Sequence, residues 1–156
     1  MMKIIFICTG NIFRSMSAEY LFKKYLEKNN IINIEVTSAG TSVIKFDFYE
    51  DTLNRLNFYE VDPLKHKQTQ VDKDILKDKD FIICFTQRHM DYIINLGFKP
   101  ILFNKIAYNI NDDLMDDIEY ASKFGYIPNQ KEYIYHTIDY INQGLPNLYK
   151  WLLNNK

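Results

Sequence analysis

The sequence predicts an α/β fold in which helices cover both faces of a parallel sheet. Three observations predict it. Short, near-continuous apolar runs alternate along the chain with stretches of helical period. Those runs are rich in isoleucine and phenylalanine and lack the in–out alternation of a half-exposed sheet. The 156 residues suffice for one domain with a substantial core, and no repeat, linker or composition shift divides them, so residues 1–156 are read as a single domain.

Taken in order, Ile4–Ile7 is a fully buried first strand. Glu19–Glu27 carries Tyr20, Leu21, Phe22, Tyr25 and Leu26 as a helical stripe. Ile34–Thr37 is a second strand, Asp51–Phe58 a short helix, and Asp72–Lys77 one helical turn or two. Phe81–Phe85 is the third strand and Gln87–Leu96 a helix stopped by Gly97. Pro100–Phe103 is a short fourth strand. The final helix spans about Glu132 to Leu153, with Ile134, Ile138, Ile141, Leu145, Leu148 and Leu152 alternately four and three apart. That stripe faces the core, a dimer seam being the alternative, and Gly144 with Pro146 predicts a bend or restart. In such sheets ligands sit beyond the carboxyl ends of the strands.

Composition narrows the function classes. Apolar residues make up 47% and charged residues 25%, which excludes a disordered chain. The net charge is −1 and the lysines are scattered, so nucleic acid is not expected as a partner. Two cysteines, Cys8 and Cys84, make no disulfide framework and fit a reducing compartment. The N-terminal apolar run is too short for a secretory signal, and no stretch approaches the roughly 20 apolar residues of a membrane span. The expected location is the cytoplasm, with no membrane partner.

The chemistry concentrates in Cys8-Thr9-Gly10-Asn11-Ile12-Phe13-Arg14-Ser15, directly after the first strand and before a helix. A strand, a tight loop and a helix N-terminus turn successive backbone N–H groups inward and make an anion site. A thiol placed there is favoured as thiolate, the form that attacks phosphorus. Gly10 permits a turn that a Cβ would obstruct, and Asn11 tolerates left-handed dihedrals. Arg14 offers a planar fork for two phosphate oxygens, and the Ser15 hydroxyl can donate to the cysteine sulfur. Thr9, Gly10, Asn11, Ile12, Phe13, Arg14 and Ser15 are therefore the expected phosphate-binding segment, with Cys8 as nucleophile. Cys84, mid-strand, reads as core filling. No histidine, cysteine or acid stands at metal-ligand spacing, so neither a metal nor another cofactor is expected.

This segment resembles the phosphate loop of the low-molecular-weight protein tyrosine phosphatases, which carry Cys-x-Gly-Asn-x-x-Arg-Ser near the N-terminus. Ser38-Ala39-Gly40-Thr41 resembles the family's Ser-Ala-Gly-Thr turn. His66-Lys67-Gln68-Thr69-Gln70-Val71 resembles its His-x-x-x-Gln-hydrophobic segment, and Asp80–Phe85 its third strand. The resemblance covers roughly the first two-thirds of the chain. It implies a three-layer doubly wound sandwich on a four-stranded parallel sheet, flavodoxin-like in topology with strand order 2-1-3-4. It also implies a supporting network of Asn11, Ser15, Ser38 and His66, and a bacterial-type enzyme that cleaves phosphotyrosine through a cysteinyl-phosphate. Inorganic phosphate or sulfate is an expected pocket ligand, and a monomer the expected state.

The chain departs from the family where the leaving group needs its proton. The family places an Asp-Pro pair between the fourth strand and the last helix, whereas the only Asp-Pro here, Asp62-Pro63, precedes His66. One register of the loop puts Ser122-Lys123 at the acid position and another puts Asn129 there. A third takes the donor from the acidic run, with Asp117 preferred, Asp116 next, and Glu119 also considered. Met16 replaces a proline, and Phe13 replaces a second cysteine often found in the family. Ile44 replaces an aromatic wall that Phe46, Phe48, Tyr120, Phe124 or Tyr126 would have to supply. Two alternatives to phosphotyrosine hydrolysis follow from the same resemblance. One is a protein arginine phosphatase, a subgroup that tends to carry threonine where this chain has Ile12. The other is a phosphate- or phosphotyrosine-binding homologue that lacks an acid and turns over weakly. Disulfide-relay arsenate reduction, known on a related fold, is not expected because Cys84 lies inside a strand.

Overall fold

The computed structural model describes residues 1–125 and 129–156, with Asp117, Ile118 and Phe124 described by backbone alone. Four strands form one parallel sheet in the order β2-β1-β3-β4. They are β1 (Met2–Cys8), β2 (Ile34–Gly40), β3 (Phe81–Cys84) and β4 (Pro100–Leu102). β1 is central, pairing from Met2↔Ile34 to Cys8↔Gly40 on one side and from Ile4↔Phe81 to Ile7↔Cys84 on the other. Pro100 sits at the first residue of the edge strand β4, where its missing N–H breaks no ladder.

Seven helices lie among the described residues: α1 (Arg14–Lys28), α2 (Glu50–Phe58), α3 (Lys73–Leu76), α4 (Gln87–Asn95), α5 (Phe103–Tyr108), α6 (Asp117–Phe124) and α7 (Gln130–Asn154). The period-two alternation of β1 divides the core. Ile4, Phe6 and Cys8 face a layer built from α1, α5 and α7, and Ile5 and Ile7 face the smaller layer that includes Leu76 of α3 and Ile93 of α4. Both faces are covered, so all of Ile4 to Ile7 is fully buried, as its unbroken apolar run predicts. The Phe6 ring stacks on Phe85 and meets Phe22 edge-on. Cys84 is buried in the sheet, and desolvation, with Cys8 nearby, pushes its thiol far above the ordinary range.

Beyond shifts of element ends, such as α1 beginning at Arg14 and β3 ending at Cys84, three differences from the sequence reading stand out. The fourth strand ends at Leu102, and Phe103 opens α5, where it buries beside Phe85. The acidic run does not stay an extended loop: Asp116 caps α6, its carboxylate accepting from the Glu119 N–H at 2.7 Å. Of the bend or restart expected at Gly144 and Pro146, the restart does not occur: the last helix is one element from Gln130 to Asn154, with Pro146 inside it. Gly144 is there for closeness, since a Cβ would fall 2.9 Å from the Tyr108 ring and 3.0 Å from Ala107. The stripe Ile134, Ile138, Ile141, Leu145, Leu148 and Leu152 is buried in the core, as its spacing predicts. Among the described residues no helix is long and apolar enough to cross a membrane.

α7 is tied to α2 by a polar clasp. Asp139 accepts from Arg55 Nε and Nη2, each at 2.8 Å, and from the Tyr59 hydroxyl at 2.6 Å. The Arg55 hydrogen bonds hold the Asp139 carboxyl below its ordinary range. Its extra stability is therefore present above the unfolded-state value of about 4 and fades as pH falls through and below it. Asp139→Asn should cost about 1 kcal/mol at neutral pH, a modest figure because the pair keeps 22% and 25% of its side-chain surface. Denaturation midpoints of variant and parent should converge as the pH is lowered past about 4.

Candidate active site

Cys8 is the last residue of β1, and the next five residues close a loop onto the start of α1. Phe13, the N-cap of α1, supplies no side-chain cap, and no acid stands in the first turn. The positive end of this helix is thus left to whatever occupies the loop. Asn11 adopts φ +54°, a left-handed conformation that asparagine tolerates.

The Asn11 side chain is fully committed. Its Nδ2 donates to Ser15 Oγ at 2.9 Å and to Ser38 Oγ at 2.8 Å, and its Oδ1 accepts from the Thr69 N–H at 2.9 Å. Each hydroxyl then passes its own hydrogen onward. Ser38 donates to Glu19 Oε2 at 2.5 Å. Ser15, already accepting from Asn11, has its hydrogen left for Cys8 Sγ, 2.9 Å away. The Asn11 carbonyl accepts from His66 Nε2 at 2.7 Å, which fixes that proton on Nε2 and leaves Nδ1 4.0 Å from Glu19 Oε2. The predicted network of Asn11, Ser15, Ser38 and His66 is thus assembled, and Glu19 completes it.

Glu19 was legible only as one residue of the first helix, because nothing in its spacing says that it closes a chain of hydrogen bonds. A second missed contact is His89. Its Nε2 lies 2.9 Å from Thr9 Oγ1, and its Nδ1 is buried without a partner among the described residues. An orphaned N–H is rarer than a bare lone pair, so the proton is placed on Nε2, donating to Thr9. Burial first, then Arg14 and Arg88, hold His89 down to about 3, so the ring is neutral. Gln68 anchors the loop from another side, its Nε2 donating to the carbonyls of Gly10 and Ile44 at 2.8 Å each. Gly40 closes the arrangement: a Cβ there would fall on the Thr9 carbonyl and 3.0 Å from the Asn11 nitrogen.

Arg14 lies beside the sulfur and is 2% exposed. Burial alone would weaken its charge, but Cys8, Glu119 and Asp116 outweigh it and raise its affinity for the proton. Nη1 donates to the Leu114 carbonyl at 2.9 Å, and Nη2 donates to Glu119 Oε1 at 2.6 Å and Asp116 Oδ2 at 3.3 Å. The loop carrying these acids is pinned to the sheet by the Leu114 N–H, which donates to the Phe85 carbonyl at 2.8 Å. Glu119 is held above the ordinary carboxylate range by burial and by the neighbouring Asp116, against the opposing pull of Arg14. The structure thus brings Asp116 and Glu119 to the arginine. Asp117 opens α6, and its side chain lies outside the described residues.

The cup above Cys8 holds about 330 Å³. Cys8, Thr9, Gly10, Ile12, Phe13 and Arg14 form its base, and Ser42, Ile44, Phe46, Tyr49 and Asp116 its walls. Of the aromatic residues considered for the wall, Phe46 stands in it, and Tyr49 joins from the N-cap of α2. Phe48 faces a neighbouring groove, and Tyr120 meets Tyr133. The Phe124 side chain and all of Tyr126 and Pro128 lie outside the described residues. A larger cleft of about 520 Å³ lies behind the network, against Glu19, Ser38 and His66, but neither Cys8 nor Arg14 reaches it. Among the described residues no group of three metal-ligating side chains gathers.

The low molecular weight phosphotyrosine protein phosphatase family matches residues 3–117. The chain is 30% identical over 129 residues to the low molecular weight protein-tyrosine-phosphatase PtpA of Staphylococcus aureus, covering 80% of this chain and 82% of that one. It is 30% identical over 92 residues to the protein-arginine-phosphatase of Bacillus subtilis, a match spanning 59% of this chain and 61% of the relative's length. The crystal structure of a YwlE mutant from Bacillus subtilis superposes with a TM-score of 0.80 at 26% identity, covering 98% of this chain and 99% of that one. The chain belongs to the low molecular weight phosphotyrosine protein phosphatase family, a family of cysteine-based hydrolases.

Proposed function

We propose that the protein hydrolyses phosphotyrosine in proteins through a cysteinyl-phosphate formed on Cys8. The observation that carries this reading is the junction of an anion-binding base with an apolar wall: Cys8 and Arg14 below, Ile12, Ile44, Phe46 and Tyr49 around. A phosphoryl dianion suits the loop amides and the guanidinium, and a phenyl ring suits the wall.

In the first step the Cys8 sulfur attacks phosphorus and the P–O bond to the leaving group breaks. Arg14, through N–H groups not held by Leu114, Asp116 or Glu119, stabilises the equatorial oxygens together with the loop amides. The departing phenoxide takes a proton from Asp116, the carboxyl group among the cup's walls. Glu119, held above the ordinary carboxylate range by burial and by Asp116 against the pull of Arg14, shares Arg14 with Asp116. In the second step Asp116 accepts a proton from water, whose oxygen attacks phosphorus. The S–P bond breaks, inorganic phosphate leaves, and the Ser15 hydroxyl stabilises the returning thiolate. No metal takes part in this sequence.

Phosphoarginine is the second reading, favoured by the kinship with the Bacillus subtilis arginine phosphatase. A phosphoguanidinium head would call for polar partners along the wall, where this chain places Ile12 and Ile44. Hydrolysis of matched phosphotyrosine and phosphoarginine peptides, measured side by side, should favour the tyrosine peptide, and the reverse order would overturn that assignment. Cys8→Ser should abolish turnover of an aryl phosphate; unchanged turnover would remove the mechanism.

The donor is tested by leaving group. Asp116→Asn should slow release of an unactivated phenol by about 10² to 10⁴ and that of an acidic nitrophenol much less. No loss at Asp116 or Glu119 would favour a phosphate-binding role with slow turnover.

A further inference from the structure

A second groove, about 490 Å³, adjoins the catalytic cup across a shared ridge made by Ile12 and Phe46. Phe48 extends its apolar side, and Lys45 and Lys67 line it. The groove is built and braced. Gln68 takes the Phe46 N–H on its Oε1 at 3.0 Å while its amide holds Gly10 of the phosphate loop, so ridge and loop are tied to one side chain. Both lysines are exposed, and neither joins an ion pair among the described residues. Asp47 follows Phe46 in the chain but does not line the groove, and Glu19 behind it is already engaged with Ser38 and Lys23. The groove therefore presents uncompensated positive charge on an apolar bed, next to the place where the phosphorylated residue docks.

We propose that this groove is a substrate subsite for an acidic side chain, Asp or Glu, adjacent to the phosphorylated residue of a protein substrate. An extended peptide advances about 3.3 Å per residue, so the side chain of a residue flanking the docked one lies within reach of the far side of the Ile12–Phe46 ridge. Its methylenes lie on Phe46 and Phe48 while its carboxylate meets Lys45 and Lys67. The subsite deepens the phosphatase reading and rests on it. It selects among phosphoproteins by the residue beside the phosphate, whereas the cup selects the phosphorylated group itself.

The test uses three phosphotyrosine peptides that differ only in the flanking residue: Glu, Leu or Lys. For the full chain, kcat/KM should be highest for Glu and on the order of tenfold lower for Lys at low salt. The gap should shrink as salt shortens the screening length from about 30 Å to about 8 Å. In the double variant Lys45→Glu/Lys67→Glu the order should reverse, with turnover of para-nitrophenyl phosphate, which does not reach the groove, unchanged. Equal values for the three peptides, a preference for Leu, or a Glu preference that survives in the double variant would overturn the proposal. If the parent chain fails on para-nitrophenyl phosphate, the phosphatase reading falls on its own. The subsite is then judged by fluorescence-anisotropy affinities for the same peptides, where the same order must hold and the same reversal follow.

Discussion

The site depends on one side chain, that of Asn11. Its φ of +54° turns the loop back on itself, and its amide and carbonyl tie that turn to Ser15, Ser38, Thr69 and His66. Because Asn11 donates to both serine hydroxyls, each hydroxyl has a direction, and Ser15 points its hydrogen at the Cys8 sulfur. A backbone conformation that costs free energy is held by bonds that also orient the leaving-group side of the chemistry. The amide is wholly buried, so losing any one partner would leave a polar group unpaired away from water.

Arg14 is the second constraint, and it acts between two anionic demands. In the absence of substrate its guanidinium faces Asp116, Glu119 and the Leu114 carbonyl. Those groups keep a fully buried cation paired, which burial alone would make costly. Of the two carboxylates, Asp116 also lines the cup. Burial and the neighbouring Asp116 hold Glu119 above the ordinary carboxylate range, against the pull of Arg14. Asp116 serves at once as the N-cap of α6 and as a wall residue of the cup.

The remaining anchors make the loop rigid from all sides. His89 reaches it from α4 through Thr9, Gln68 from the segment before β3 through Gly10, and Gly40 from β2 by close approach. Each comes from a different strand–helix unit, so the carboxyl edge of the sheet converges on one loop, as parallel α/β sheets do. The rim is different in kind. Ile44, Phe46 and Tyr49 are largely exposed, which leaves specificity to a loop that the core does not dictate.

Much was legible in the sequence. The buried strands β1 and β3, the helices around them, the phosphate loop from Cys8 to Ser15, and the Ser38 and His66 supports could be read because each is a local pattern or a short motif. The contacts of Glu19, His89, Gln68 and Tyr49 could not, because they join residues from about 20 to 80 positions apart and carry no periodic signal. The acidic run was the hardest case: nothing in its spacing says which carboxylates meet Arg14, and the fold brings Asp116 and Glu119 there. Local propensity and motif chemistry determined the elements and the nucleophile. Long-range packing alone decided which carboxylates meet the buried guanidinium and which side chains wall the cup, because those choices depend on where β1, β3, α1 and α6 come to rest against one another.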